Sequence, residues 1–449
     1  MNKLLQDLKI ICAAESHNTE YRCALPFADV TKFGISGDGK TNNTKRINEV
    51  INEMKNGGIL YFPPGRYITG SIILKNNMTL YLSTGAELVG SENKDDFPYL
   101  ENADQIGYTR GGRYALIAAV KAKNIVIEGG GTINANGSYW WKNPEDQHRP
   151  RTIQTILCDN VKIKDITIKN SPMWTVHPVC CNNICIDGIT IINPSDSPNT
   201  DGINPESCSN VRISNCLIDV GDDCITLKSG EETDLLQKRY PCENISITNC
   251  ILLSGHGGIV IGSEMSGGVR NITVSNCIFN GTDRGIRIKT RRKRGGVIEN
   301  LMFCDLLMTD VFSPFTINEF YYCGADKNDM TLFSHKSAEI TEQTPVIKDI
   351  NLNNITVRNA TVSAIYIIGL PELPVKGVRA SNISISTTVN KEVCQPPVMM
   401  PNAEKMQGRG VFLENIIDSE FNNIKVSVTS GEVLNVRNIK NVLFNGKQL

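Results

Sequence analysis

The sequence predicts an all-β fold, a right-handed parallel β-helix with a short capping helix near its N-terminus. Similar phrases recur along the chain, and within each phrase apolar and polar residues alternate with the period of two that is typical of strands. From Gly57 onward the chain shows no helix-length pattern with a period of 3.6 residues. A strand-turn-strand unit cannot bury its apolar face alone, so stacked copies of the unit are expected to form a solenoid with one continuous core.

Each repeated phrase opens on an asparagine. The intervals between these asparagines are 36, 23, 27, 34, 27 and 29 residues. Helical solenoids would show helical periodicity, and propeller blades would need antiparallel hairpins with tight turns, so parallel coils fit best. Asparagines stacked from coil to coil can hydrogen-bond to one another, and we interpret them as structural. The phrases are NIVIEGGGTI from Asn124, NVKIKDITI from Asn160, NICIDGITI from Asn183, NVRISNCLI from Asn210, NISITNCIL from Asn244, NITVSNCIF from Asn271 and a degenerate copy near Asn300.

We predict one domain over residues 1–449, with a cap region at about 25–60 and coils over about 60–449. The segment GISGDGKT from Gly34 matches a phosphate-binding loop and precedes TKRINEVINEMK, which has helical periodicity. Nucleotide hydrolases alternate strands and helices behind that loop, whereas this chain continues in strands. We therefore favour a helix that covers the open end of the core, and keep nucleotide binding as the less favoured alternative.

Composition narrows the choice of compartment and partners. The chain has 46 Lys+Arg against 47 Asp+Glu, so overall charge does not favour nucleic acid or an anionic membrane. Its apolar runs are too short to span a bilayer. The fifteen cysteines lack paired CxxC spacing, which favours buried free thiols. Asp7 and Lys9 interrupt the first apolar stretch, so we read no signal peptide and expect a cytoplasmic monomer.

Charged residues recur at about one coil length after Asn199. Asp201 and Asp222 are 21 residues apart, His256 follows 34 residues later, and Arg287 follows after another 31. Neighbouring rungs of a parallel β-helix lie about 4.8 Å apart, so these side chains are expected on one face. Gathering carboxylates, an imidazole and cations costs free energy, which indicates a functional site. The predicted group is Asp201, Asp222, Asp223, His256, Arg287 and Lys289.

The six residues of this group lie in four short motifs, which follow one another in the sequence: N-T-D at 199–201, G-D-D at 221–223, G-H-G at 255–257 and R-I-K at 287–289. Together they resemble the polygalacturonases of glycoside hydrolase family 28, and bacterial exo-acting members in particular. FGISGDGKTNNT, INANGSYWW and NSPMWTVHP resemble further phrases of that family. The resemblance implies a right-handed parallel β-helix, as the repeats do, and hydrolysis of α-1,4-galacturonosyl bonds in pectic chains with inversion. We expect no metal and no cofactor.

The resemblance also implies catalytic roles. Asp222 would be the general acid, Asp201 and Asp223 would hold and deprotonate the attacking water, and His256 would bond within the cluster. Inverting glycosidases usually hold their two carboxyl groups about 6.5 to 9.5 Å apart. Neighbouring anions are expected to raise the pKa of Asp222 and keep it protonated. Asp222 and Asp223 would point to opposite faces of a regular strand, so the hypothesis requires a local bend.

Substrate binding is predicted around the same motifs. Arg287 and Lys289 lie two residues apart, on one face of a strand, and can clamp a uronate carboxylate. The resemblance implies binding roles for Asn199 and for a tyrosine after the R-I-K coil, where Tyr321 is preferred to Tyr322. Arg291 to Arg294 fit either further subsites or a solvated loop. Candidates for cleft walls or core anchors are His148, Trp140, Trp141 and Trp174.

Two long segments, Pro98 to Arg113 and Pro314 to Thr344, are predicted to fold over one end of the cleft. A cleft closed at one end admits only chain termini, so we predict exo cleavage, with an open cleft as the competing possibility. Rhamnogalacturonan and xylogalacturonan hydrolases resemble the same family and stay open as alternatives. A calcium-dependent pectate lyase and a non-catalytic sugar-binding β-helix are the alternatives of other classes.

Overall fold

The computed structural model describes residues 26–100, 103, 107–108, 111–142, 148–234, 236–326, 329–390 and 392–449. In these ranges the chain winds into the predicted right-handed parallel β-helix. Residues 1–16, on which the signal-peptide argument depends, lie outside the described residues, as do Cys12 and Cys23. None of the helices in the described part of the chain has the length and hydrophobicity needed to cross a membrane.

Helices are short and strands numerous. The α-helices with described bounds are α1 (Thr44–Glu53) and α2 (Gly137–Trp141), and short 3-10 helices span Val30–Phe33, Lys94–Asp96, Gln237–Arg239 and Met330–Phe333. The strands of the first half are β1 (Phe27–Asp29), β2 (Asp38–Asn42), β3 (Gly58–Phe62), β4 (Gly65–Thr69), β5 (Ile72–Leu74), β6 (Met78–Leu82), β7 (Ala86–Gly90), β8 (Ile117–Val120), β9 (Lys123–Glu128), β10 (Thr132–Asn134), β11 (Ile153–Ile156), β12 (Asp159–Lys164), β13 (Thr167–Lys169), β14 (Val176–Val179), β15 (Asn182–Asp187) and β16 (Thr190–Ile192). Those of the second half are β17 (Ser209–Ser214), β18 (Leu217–Asp219), β19 (Asp223–Leu227), β20 (Cys242–Thr248), β21 (Ile251–Leu253), β22 (Gly257–Gly262), β23 (Val269–Asn280), β24 (Arg284–Lys289), β25 (Val297–Thr309), β26 (Ser313–Asn318), β27 (Val346–Ala360), β28 (Ser363–Ile368), β29 (Val375–Thr387), β30 (Arg409–Ser427), β31 (Leu434–Phe444) and β32 (Lys447–Gln448).

Each coil contributes strands to three faces. The first face stacks β9, β12, β15, β17 and β20 in parallel, and the second stacks β10, β13, β16, β18 and β21. From β23 onward one long strand serves both of these faces. The third face stacks β5, β8, β11 and β14, continues through bridges at Ile203 and Glu206, and runs on through β19, β22, β24, β26 and β28. It is this third face that carries the predicted site.

The repeat asparagines have a backbone role as well as a side-chain one. From Asn124 to Asn300 all seven have φ between 55 and 58°, the left-handed region that asparagine tolerates better than other non-glycine residues. Their side chains form ladders: Nδ2 of Asn160 donates to Oδ1 of Asn124 at 3.0 Å, and Nδ2 of Asn300 donates to Oδ1 of Asn271 at 2.7 Å. Their interpretation as structural residues is confirmed.

The core runs inside the coils and is closed by the predicted helix. Ile47, Val50 and Ile51 on α1 are buried in the same apolar cluster as the strand residues. Thiols occupy part of this interior, and the thirteen cysteines of the described ranges are all free. Four of them, Cys158, Cys181, Cys208 and Cys242, follow one another on successive coils.

The structure does not support the alternative that the segment GISGDGKT is a phosphate-binding loop. The stretch from Asp38 to Asn42 is strand β2. The Asp38 carboxylate accepts the N–H groups of Lys40 and Thr41, each at 2.8 Å, and the Thr41 hydroxyl at 2.7 Å. A phosphate loop must turn such N–H groups toward its ligand, whereas here an aspartate of the same segment already accepts them. These donors lower the pKa of Asp38 below its ordinary value.

Candidate active site

The coil register brings the four motifs together on the third face. The Gly202 N–H donates to the Asp223 carbonyl oxygen at 3.0 Å, which places Asp201 beside β19. On the next coil Asp223 pairs with Gly257, and one coil further Gly262 pairs with Lys289. The four motifs, which span residues 199–289, therefore lie on four successive rungs, about 4.8 Å from one to the next.

Three carboxylates meet at the centre of this arrangement. One oxygen each of Asp201, Asp222 and Asp223 lies within 4.8 Å of the other two. Asp222 occupies a bend directly before β19, and this bend lets two consecutive aspartates reach the same site. The side chains of Asp201 and Asp223 are buried, while 20% of the Asp222 side chain is exposed. Asp222 is thus the carboxyl most accessible to a ligand on the face.

Asp223 is held by the two cations of the R-I-K motif. Lys289 Nζ lies 2.7 Å from Oδ2 and Arg287 Nη1 lies 3.1 Å from Oδ1. Burial opposes the charge on Asp223, but Lys289 and Arg287 outweigh it and hold the pKa of this carboxyl well below its usual range. The sequence hypothesis assigned both cations to the substrate, yet their direct contacts in the structure are with Asp223.

The pKa of Asp201 is shifted in the opposite direction to that of Asp223. Burial and the nearby Asp222 raise the pKa of Asp201 well above its usual range, and the charge of Lys228 opposes them less strongly. Asn204 Nδ2 donates to Asp201 Oδ2 at 2.9 Å. The sequence hypothesis placed a proton on Asp222, which remains a prediction, and burial also favours a proton on Asp201.

His256 borders the carboxylates at the surface. Its Nδ1 lies 3.3 Å from Asp222 Oδ1, and 54% of the side chain is exposed. The hydrogen bond with Asp222 raises the pKa of His256, and burial opposes the rise. The flanking glycines are required by space: a Cβ at Gly255, where φ is 88°, would lie 2.4 Å from the Asp222 carbonyl oxygen. A Cβ at Gly257 would lie 2.4 Å from a methyl group of Val260.

Tyr321, rather than Tyr322, faces the site. Lys289 Nζ lies 5.2 Å and Arg287 Cζ 5.7 Å from the centroid of the Tyr321 ring. Tyr321 is buried, whereas Tyr322 is exposed. Arg287, Lys289 and Tyr321 are called the C-terminal group below. Asn199 lies at the exposed rim, where its Oδ1 accepts from Arg149 Nη2 at 2.7 Å.

Sequence reasoning missed the segment 392–408, which packs against the C-terminal group. Met399 Sδ lies 2.9 Å from Arg287 Nη2, and the Met399 carbonyl oxygen accepts from Asn318 Nδ2 at 3.1 Å. Arg284 fixes the segment by donating to the carbonyl oxygens of Pro396 at 2.8 Å and Pro397 at 3.0 Å. The signal that could have found it is this Pro-Pro pair, which interrupts the strand pattern between two long strands.

The basic run after the R-I-K motif is neither a set of subsites nor a solvated loop. Arg292 donates to both carboxylate oxygens of Glu372, at 2.6 and 2.8 Å, and Arg294 donates to Glu232 at 2.7 Å. Both arginines are buried. Exposed Lys293 pairs with Asp329. The run therefore anchors the segments that surround the third face.

Of the four residues predicted as cleft walls or core anchors, only Trp174 lies beside the carboxylates. Trp140 is fully buried and packs edge-to-face against Phe97. His148 packs edge-to-face against Tyr99, 5.7 Å away, and Trp141 is half-buried on α2. Trp174 is the one of the four that borders the carboxylates, because the next residue, Thr175, donates its N–H to the Asp201 carbonyl oxygen at 2.8 Å.

Two small apolar clusters cover the third face on either side of the charged site. Of the predicted covering segments, 98–113 contributes to the first cluster, and 319–345 contributes Phe320 to the second, since Pro314 belongs to strand β26. The first cluster is Leu100, Tyr108, Ile156, Val179 and Leu236, and the second is Phe320, Tyr366, Ile368, Leu370 and Val398. The site lies between them along the face.

Comparison with known proteins identifies the family. The model of glycosyl hydrolases family 28 matches residues 100–404. A probable polygalacturonase of Vitis vinifera is 34% identical over 81% of this chain and 75% of its own length. A hyperthermoactive exopolygalacturonase from Thermotoga maritima is 29% identical, with a TM-score of 0.71 over 81% of this chain and 87% of that one. The family 28 exopolygalacturonase of Yersinia enterocolitica shares the fold, with a TM-score of 0.78 at 24% identity over 94% and 79% of the two chains. The chain therefore belongs to family 28 of the glycosyl hydrolases and is a glycosidase.

Proposed function

We propose that the protein hydrolyses α-1,4-galacturonosyl bonds of polygalacturonate and pectic oligosaccharides, and releases galacturonic acid from a chain end. The observation that carries the proposal is the cluster of three carboxylates, in which two cations contact Asp223 and the Asp201 side chain is buried. Two cations keep Asp223 ionised, and burial favours a proton on Asp201 beside Asp222. Hydrolysis of a glycosidic bond needs one carboxyl group to donate a proton and another to activate water.

Accessibility supports Asp222 as the general acid. The proton must reach the leaving oxygen of a sugar on the surface of the face, and the side chains of Asp201 and Asp223 are buried beneath it. In this proposal the proton reaches the leaving oxygen from Asp222, which has one oxygen within 4.8 Å of an Asp201 oxygen and its Oδ1 3.3 Å from His256 Nδ1. Asp223, held ionised, is the base for the attacking water.

Inversion remains part of the proposal, although the carboxylates are closer than the usual 6.5 to 9.5 Å. One water that donates to two carboxylate oxygens holds them about 4.5 Å apart. Oxygens within 4.8 Å therefore leave room for a bridging water, but not for the wider arrangement that the sequence hypothesis expected. Proton NMR of the first anomer released tests this point, and a product that retains its configuration would contradict inversion.

The C-terminal group is proposed to bind a uronate carboxylate while it holds Asp223. An ammonium has three N–H donors and a guanidinium five. Lys289 uses one for Asp223, and Arg287 uses Nη1 for Asp223 and Nη2 for Met399. The remaining donors are available to a ligand. The proposed binding role of Asn199 remains a prediction, as do the cytoplasmic location and the monomeric state.

Exo cleavage is supported by the two apolar clusters that cover the third face beside the site, and by the similarity to the exopolygalacturonase of Thermotoga maritima. The test is the product profile on long polygalacturonate during the first few per cent of reaction. Galacturonic acid as the main product supports exo action. A rapid fall in viscosity with a spread of oligomers would instead favour the open cleft.

One observation favours a second candidate, the calcium-dependent lyase. Three carboxylate oxygens within 4.8 Å are a plausible cation site by geometry alone. Two cations already neutralise Asp223, which weakens the attraction for calcium and favours the hydrolase. Reducing-sugar release that persists in chelator, with no ultraviolet-absorbing product, supports hydrolysis. Loss of release in chelator with an unsaturated product supports the lyase, and binding without release supports a non-catalytic sugar-binding protein.

A further inference from the structure

A second set of charged and aromatic side chains lies on the N-terminal side of the carboxylates. The Thr175 N–H donates to the Asp201 carbonyl oxygen at 2.8 Å, and the Thr152 N–H donates to the Trp174 carbonyl oxygen at 3.3 Å. Arg151, Trp174 and Asp201 therefore lie on three successive rungs of the third face, about 4.8 Å from one to the next. Lys228, at the end of β19, completes the set.

Arg151 is buried without a hydrogen-bonding partner. The residue is only 5% exposed, and its Cζ lies 5.4 Å from the centroid of the Trp174 ring. Across the described ranges the guanidinium makes no hydrogen bond or ion pair; only its Nε is fully buried, so Nη1 and Nη2 stay accessible to a ligand. An unpartnered buried cation costs free energy, so a site of this kind is expected to be completed by an anion.

Lys228 points at the same ring. Its Nζ lies 4.9 Å from the centroid of Trp174 and 2.9 Å from Glu264 Oε2. Burial opposes its charge, but Glu264 and Asp201 outweigh burial and raise the pKa of Lys228. The ammonium therefore stays charged, and only one of its three N–H donors is used by Glu264.

The two sides of the cleavage site match in chemistry. Arg151, Lys228 and Trp174, called the N-terminal group, offer a guanidinium, an ammonium and an aromatic ring, as the C-terminal group does. We propose that the N-terminal group binds the carboxylate of the second sugar at the cleaved bond, so that the enzyme requires a uronate on both sides. The sugar ring would pack on Trp174 while its carboxylate accepts from Arg151.

This inference rests on the proposed function and narrows its substrate. A clamp on each side selects homogalacturonan, in which every sugar is acidic. Rhamnogalacturonan places a neutral rhamnose next to each galacturonate, and one of the two clamps would then stay unpaired. A site built for a charged group rejects a neutral one strongly, because its own buried groups are left without partners.

The experiment compares digalacturonate with its two mono-methyl esters, each neutral at one sugar only. Wild type should prefer the free acid over both esters. Arg151→Gln should lower kcat/KM on the free acid by about 10- to 150-fold, which corresponds to the loss of one charged hydrogen bond. The penalty for an ester is the factor by which its kcat/KM falls below that of the free acid, and Arg151→Gln should lose this penalty for one ester only. Lys289→Met should lose the penalty for the other ester. Arg270→Gln, at an exposed ion pair on the first face, is the matched control.

Each result decides the inference. An unchanged penalty in Arg151→Gln, or an equal loss at both sugars, overturns it. Arg151→Lys keeps a cation and should recover part of the preference, and thermal unfolding of each variant separates a folding defect from a binding one. If wild type cleaves neither polygalacturonate nor digalacturonate, the proposed function fails. Calorimetric binding of the same three disaccharides then tests the clamp by itself.

Discussion

The N-terminal and C-terminal groups carry the same three kinds of side chain, yet their cations have different partners. Arg287 and Lys289 are bound to Asp223, so their first effect is to keep the proposed catalytic base ionised. Arg151 has no such partner in the described part of the chain. Residue type alone therefore does not assign a role: a cation beside an aspartate tunes that aspartate, and a cation without a partner is left for a ligand.

The largest effect is expected at the carboxylates that both groups flank. Asp222→Asn keeps the shape of the side chain but removes its proton, so kcat should fall by about 10²- to 10⁴-fold. Binding of oligogalacturonate, measured by calorimetry, should persist because both groups remain in place. Asp219→Asn, on the second face, is the control. Activity within about tenfold of wild type would remove Asp222 from the role of general acid.

The next effect separates the two groups by their action on Asp223. Lys289→Met removes the ammonium 2.7 Å from Asp223, so the pKa of Asp223 should rise. The acidic limb of the pH–rate profile should then move to higher pH, with a fall in kcat/KM of about 100-fold. Arg151→Gln should leave that limb in place. Lys293→Met, at an exposed ion pair, is the control, and an acidic limb that does not move in Lys289→Met would contradict the assignment.

The contact between Lys289 and Asp223 should also make the free energy of unfolding depend on pH. Asp223 has a lowered pKa in the folded chain, so its contribution to the free energy of unfolding is present above its unfolded pKa and is lost as pH falls through the folded value. Lys289→Met should therefore lower stability at neutral pH more than it does in strong acid. Urea unfolding across that pH range measures the difference.

A smaller effect is expected at His256, which borders the carboxylates from the solvent side. Its raised pKa means that its contribution to stability is fully present below the unfolded pKa, near 6.5, and is lost as pH rises through the folded value. We expect the alkaline limb of the rate profile to follow the same titration. His256→Gln should lower kcat/KM by about tenfold and shift that limb. His335→Gln, at another surface histidine beside a glutamate, should do neither.

The fold and the C-terminal group were predictable because their signals are local. Repeated asparagines predicted the coils, since a left-handed residue recurs once in each coil. Arg287 and Lys289 lie two residues apart on one strand, so one short motif contains both. The bend at Asp222 was predicted as well, because two consecutive aspartates can reach one site only if the strand is interrupted between them.

The N-terminal group and the anchoring arginines were not predictable in the same way. Arg151, Trp174 and Lys228 come from three different coils, and no spacing rule joins them until the register is known. Arg292 lies beside the R-I-K motif in sequence, but its partner Glu372 is 80 residues away. A charged residue whose partner is distant in sequence is easily predicted to be exposed. Only the tertiary structure shows that it is buried and paired.

The smallest effect tests the aromatic rings, the part of the two groups that is most alike. Tyr321→Leu removes a ring that lies 5.2 Å from Lys289 Nζ, and a cation–π contact of about 1 kcal/mol predicts a fall in kcat/KM of about fivefold. Tyr321→Phe keeps the ring and should stay within about twofold of wild type, as should Tyr322→Leu at the exposed neighbour. Trp174→Leu should match Tyr321→Leu in size but act on the other sugar of the mono-methyl ester pair. Equal losses in Tyr321→Leu and Tyr321→Phe would assign the effect to the hydroxyl, and the likeness of the two groups would then end at their cations.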